Sequence, residues 1–110
     1  MSTIDRRSGG ERRTTQRFRV TIDVDWETSA GHQTGTLGDI SELGCFVLSG
    51  GEMQDGETVK IFLPIGDGMK IQFLGEVANH VYEIGFAARF VELSPAQMDF
   101  LEKFMTIHQE

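Results

Sequence analysis

The chain has 110 residues, 39% of them hydrophobic and 25% charged, with a formal net charge of −7 and one cysteine. That is the size and make-up of one globular domain with a modest core. It leaves no apolar run near the ~20 residues of a membrane span and no pair of thiols for an internal disulfide. The charge is unevenly spread. Arg6, Arg7, Arg12, Arg13, Arg17 and Arg19 face only Asp5 and Glu11 in the first nineteen residues, a formal +4, while the remainder carries −11. An acidic body argues against broad nucleic-acid binding and leaves a basic head as the one segment suited to anions.

Residues 1–10 contain Ser-Gly-Gly and no hydrophobic period, so a flexible arm is expected there and a folded domain over 11–110. Arg6 and Arg7 precede no apolar stretch, which does not fit a secretory signal and points to the cytoplasm, as does the lone Cys45. Arg13 and Arg17 share a face at a spacing of four in either a helix or an extended chain, so the pair suits one anion in both conformations. A solvated basic tail produces the same spacing.

From Phe18 the apolar residues Val20, Ile22, Val24 and Trp26 alternate with Arg19, Thr21, Asp23 and Asp25, the pattern of a half-buried strand. Trp26 falls on its core face, while Arg17 and Arg19 belong outside. A loop over 27–31 and a short strand over 33–37 follow. Residues 39–44 read as a turn in which Asp39 and Ser41 bond nearby amides and Gly44 adopts a left-handed conformation or permits close backbone approach. Residues 45–48 form a third strand with Cys45 as a small buried residue. Val59, Ile61 and Leu63 mark a fourth, ending at Pro64, and Gly66-Asp67-Gly68 turns a hairpin. Residues 70–81 are strand-rich with a bulge or bend at Gly75, and 84–90 form the last strand.

The period then changes. Ser94-Pro95-Ala96-Gln97 combines an N-cap, a proline at the first helical position and a capping-box glutamine. The helix it opens runs from about residue 95 to 107, with Met98, Leu101, Met105 and His108 on one stripe and Phe100, Phe104 and Ile107 beside them. Many short strands, glycine-rich turns and one terminal helix predict an all-β fold, a small antiparallel barrel with a C-terminal α-helix.

Two motifs now stand in order, Arg13-x-x-x-Arg17 just before the first strand and Asp39-x-Ser41-x-x-Gly44 one hairpin later. Together with Arg17-Phe18-x-Val20 and Gly44-Cys45-Phe46-Val47 around them, they make the chain from about residue 11 onward resemble the PilZ family, receptors for the bacterial second messenger cyclic di-GMP. The resemblance implies a barrel of six to seven antiparallel strands plus the terminal helix. It also implies cyclic di-GMP as ligand, no cofactor, and a downstream protein partner that the sequence does not name. Arg13 and Arg17 would then wrap the ligand, bidentate to phosphate or to a guanine O6/N7 edge. Asp39 would accept from guanine N1–H or N2–H₂, Ser41 would contact a guanine or phosphate, and Gly44 would let backbone come close. Arg12 stands where, in the family, an arginine accompanies binding of an intercalated ligand dimer. Arg19 departs from relatives that carry a small residue or proline there, and reads as solvated.

Other chemistry is thin. His32, His80, His108 and Cys45 have no metal-ligand spacing, Ser41 lacks the setting of a nucleophile elbow, and no active site or enzyme activity is read. Two alternatives remain: a PilZ-like adaptor that works through protein contacts without the messenger, and, less favoured, a nucleic-acid-binding small barrel, which would want aromatic side chains exposed on its sheet.

Overall fold

The computed structural model describes residues 17–108. The expected arm over 1–10, and with it Arg12 and Arg13, lies outside the described residues. Six strands, β1 (Phe18–Thr28), β2 (Gly31–Ile40), β3 (Gly44–Leu48), β4 (Thr58–Gly66), β5 (Met69–Val81) and β6 (Gly85–Phe90), precede one helix, α1 (Pro95–His108). The strands close into an antiparallel barrel in the order β1-β2-β3-β6-β5-β4, so no sheet edge is left open.

Alternation builds the core. Val20, Val24 and Trp26 of β1 point inward beside Leu37, Val47, Val59, Ile61, Leu63 and Phe73, all nearly inaccessible to solvent. Trp26 is a core residue: its ring meets Phe86 edge-on at 5.0 Å, and its indole N–H donates to Ser49 Oγ at 3.2 Å. A buried Trp finds a hydrogen-bond partner in this way. The Asp67-Gly68 turn joins β4 to β5 with both residues at positive φ, 52° and 78°, which suits the twist of a tight hairpin. Pro64 sits where β4 pairs with β5 alone, opposite Lys70, so its missing N–H leaves no ladder bond to β1 unmade.

The capping box forms as its residues suggest. Gln97 N–H donates to Ser94 Oγ at 3.1 Å, and Ser94 N–H donates to Gln97 Oε1 at 2.8 Å. The helix then caps one end of the barrel through Leu101, Phe104 and Met105, while Phe100 packs between Phe73 and Phe104. The apolar face is narrower than the two stripes in the sequence: Met98 and Ile107 are exposed. A helix laid across a barrel mouth covers one stripe at the i, i+3, i+4 spacing and leaves its flanks to solvent. Among the described residues no helix is long and apolar enough to cross a membrane.

Three other expectations are corrected by register. β1 and β2 meet in a two-residue turn, with Thr28 paired to Gly31, in place of a five-residue loop. β2 runs on through Asp39 and Ile40, so only residues 41–43 form the turn. The irregularity in β5 falls at Ala78, where Val77 pairs with Ala88 but Asn79 pairs with Ala87. Gly75 instead admits close packing, since a Cβ there would lie 3.1 Å from the Arg89 carbonyl oxygen.

Cys45 is fully enclosed between the barrel wall and the core. Burial pushes its thiol up to about 12, with the nearby Asp39 carboxylate adding to the rise and Arg17 opposing it. An unfolded thiol ionises at about 8.5, so the unfolded chain loses this proton first as pH rises. The contribution of Cys45 to stability is therefore complete below that range and is lost progressively toward about 12. Thermal melts at pH 8 and pH 10.5 are expected to fall further apart for the native chain than for Cys45→Ala, and an aromatic disulfide reagent should label the thiol only after denaturant is added.

Candidate ligand site on the barrel wall

The second motif owes its geometry to one bulge. Leu37 pairs with Val47 and Asp39 with Phe46, so Gly38 is an extra residue in β2. On the other side, Arg19 pairs with Asp39 and Ile22 with Leu37, which leaves two residues of β1 opposite Gly38. Strict alternation from the inward Leu37 would turn Asp39 into the core and Ile40 out. The extra residue reverses that parity: Ile40 becomes fully buried and Asp39 faces solvent.

Arg17, one residue ahead of β1, reaches that carboxylate. Its Nε donates to Asp39 Oδ1 at 3.1 Å, and its Nη2 reaches the same oxygen. The two side chains retain 49% and 37% of their exposure. An exposed pair of this kind contributes about 1 kcal/mol or less, whereas each charged hydrogen bond to a ligand is worth about 1.5–3 kcal/mol. The pair therefore orders the two groups without locking them. Arg19 is exposed on the same outer face.

Ser41 and Gly44 are both buried. The Ser41 side chain is completely buried. Its hydroxyl accepts from the amides of Leu43 at 3.1 Å and Gly44 at 3.3 Å, and its own N–H donates to the Gly44 carbonyl at 2.8 Å. Gly44 does not have positive φ. Its close approach is to β6, where a Cβ would lie 2.1 Å from the Ala88 carbonyl oxygen. The structure thus brings Arg17 and Asp39 together on the outer wall, places the buried Ser41 and Gly44 in the turn that follows β2, and leaves Arg12 and Arg13 outside the described residues. The bulge itself was not anticipated from the sequence; its signal is a glycine inside a strand pattern immediately before the motif.

A second charged group lies further along the wall. Asp25 pairs with Lys70 and lies 3.7 Å from His32 Nε2. The hydrogen bond from Lys70 is the main influence holding its carboxyl below the ordinary carboxylate range. Among the described residues no group of three His, Cys, Asp or Glu could hold a metal ion.

A closed six-stranded barrel, a terminal helix across one mouth, and an Arg–Asp pair where the start of β1 meets the end of β2 define the class. The family model of the PilZ domain matches residues 11–106, and the chain belongs to that family. Among solved structures, the PilZ domain of YcgR from Escherichia coli with c-di-GMP aligns at a TM-score of 0.73 and 17% identity, over 89% of this chain and 92% of that one. The Bacillus subtilis inhibitor of motility, MotI/DgrA, aligns at 0.70 and 19% identity, over 88% of this chain and 50% of its own. The PlzA protein of Borreliella burgdorferi in complex with c-di-GMP aligns at 0.68 and 10% identity, over 86% of this chain and 41% of its own. This chain therefore spans half or less of the latter two proteins. At these identities the likeness is one of fold. No curated protein matches the sequence.

Proposed function

We propose that this chain is a bacterial, cytoplasmic receptor for cyclic di-GMP that takes no cofactor, catalyses no reaction, and signals to a protein partner. One observation carries the reading: Arg17 and Asp39, the nearest ends of two motifs separated by a whole hairpin, meet on the outer wall of the barrel. One presents a planar donor fork and the other a carboxylate acceptor, the complements of a phosphate or guanine O6/N7 edge and of guanine N1–H and N2–H₂. Arg12 and Arg13 add further guanidinium groups from the segment before β1. Ser41 and Gly44 serve by holding Asp39 in place. On binding, the arginines ahead of β1 engage the ligand, and the altered charge and shape of that wall form the signal.

The PilZ membership of residues 11–106 and the c-di-GMP complexes of YcgR and PlzA support this reading. The adaptor alternative draws on a different feature of the same pair: Arg17 and Asp39 satisfy each other, so the wall is self-sufficient without a ligand. Calorimetric titration separates the two. Cyclic di-GMP is expected to give saturable heat that GTP does not, and that the Arg13→Ala/Arg17→Ala double variant loses. A stoichiometry of two ligands per chain would accord with Arg12 serving an intercalated dimer. No heat and no rise in melting temperature at high ligand would sink the receptor reading in favour of the adaptor.

A further inference from the structure

Gly38 is a glycine that the fold does not require. Its φ lies outside the left-handed region, and a Cβ there would make ordinary contact with Leu48 side-chain carbons at 3.6 and 3.7 Å. Gly44 and Gly85 differ sharply, since a Cβ at either would lie 2.1 Å from a carbonyl oxygen of a neighbouring strand. Glycine weakens a strand, so a side chain at position 38 would favour the barrel. Its absence leaves bare backbone on the outer wall beside Asp39.

The surroundings are also suited to a flat ligand. One row of outward positions runs Arg19, Asp39, Phe46 and Ala87 across four strands, and the next runs Asp23, Thr36, Leu48 and Gly85. Gly38 lies between the two rows. Leu48 is 44% exposed although apolar, and Phe46 is half-buried beside it. Ala87 and Gly85 add almost no bulk. Neighbouring strands are about 4.8 Å apart, so a purine whose edge meets Asp39 from above the wall is long enough to reach over β3.

We infer that the wall formed by Gly38, Phe46 and Leu48 is the floor on which one guanine of cyclic di-GMP lies. The inference rests on the receptor reading above and adds the apolar half of the site. Asp39 reads the guanine edge, where N1–H and N2–H₂ donate and adenine has no N1 proton. The bare backbone at Gly38 and the Leu48 and Phe46 side chains take the face of the ring, a contact that any purine can make but that only guanine completes at Asp39.

The test titrates cyclic di-GMP into the full chain and into Gly38→Leu, Leu48→Glu and Thr34→Leu. Gly38→Leu raises a side chain through the floor, and Leu48→Glu replaces the apolar surface with a charge that repels the ligand's phosphates. Both are expected to weaken binding by about tenfold or more while melting near the native temperature without ligand. Thr34→Leu, on an outward position nearer the other end of β2, is expected to bind as the native chain does. Native-like affinity in both Gly38→Leu and Leu48→Glu would overturn the inference and give the apolar wall to a protein partner. Leu48 is already exposed, so Leu48→Glu decides the matter if Gly38→Leu melts early. Absence of binding by the native chain would bring down the receptor reading itself, a result distinct from failure of the floor alone.

Discussion

Gly44→Ala is expected to destabilise the barrel by about 3–4 kcal/mol and to lower its melting temperature by about 15 °C. The added Cβ would lie 2.1 Å from the Ala88 carbonyl oxygen and 3.1 Å from the Arg89 Cα. Both are backbone atoms of a paired barrel strand, so no side chain can turn aside to relieve the overlap. β3 and β6 must separate locally, and the Phe90 amide bond to the Leu43 carbonyl, 2.8 Å long, lies within that region. Against a total stability of about 5–15 kcal/mol this is a large fraction. Gly85→Ala meets the same obstacle from the opposite strand, where the Val47 carbonyl oxygen lies 2.1 Å away. Gly38→Ala is the internal control and should change stability by about 0.5 kcal/mol or less. Urea denaturation of the three variants is the measurement. Equal midpoints for Gly44→Ala and Gly38→Ala would show that the wall yields and that Gly44 is not a packing requirement.

That contrast between glycines marks the limit of what the amino-acid order discloses. Local signals suffice where the cause is local. The alternation from Phe18 to Trp26 yields β1, Asp67-Gly68 yields its hairpin, and Ser94 with Gln97 yields the helix start through bonds three residues apart. The two motifs are likewise legible as residue types. The meeting of Arg17 with Asp39 depends on a register set by the pairing of β2 with both of its neighbours, and on one extra residue at Gly38. Nothing in the order of residues 33–44 fixes that register locally, which is why a turn is expected over 39–44 where the strand in fact continues to Ile40. For the same reason the order of residues leaves Gly44 open between a left-handed conformation and a close backbone approach; the approach decides, and its partner lies 44 residues away at Ala88. Met98 and Ile107 show the converse case: apolar residues at helical spacing do not disclose how much of a helix the barrel mouth will cover.

The largest functional effect is expected at Asp39. On the receptor reading proposed above, Asp39→Ala should weaken cyclic di-GMP binding by about 100-fold, equivalent to about 2.7 kcal/mol, because the carboxylate would offer two charge-assisted acceptors to guanine N1–H and N2–H₂. Arg17→Ala should weaken it comparably by removing a bidentate donor fork. Stability should change by about 1 kcal/mol or less in both, since the ion pair is half exposed. Loss of affinity alone does not distinguish a ligand contact from a pair that merely shapes the wall. Exchanging the charges does. In Arg17→Asp/Asp39→Arg the pair can re-form with its sign reversed, and melting should return to near the native value. If Arg17 and Asp39 served only the barrel, ligand binding would return with it. If they read the ligand, binding stays lost, because the guanine N1–H and N2–H₂ donors then face a guanidinium and the phosphates face a carboxylate.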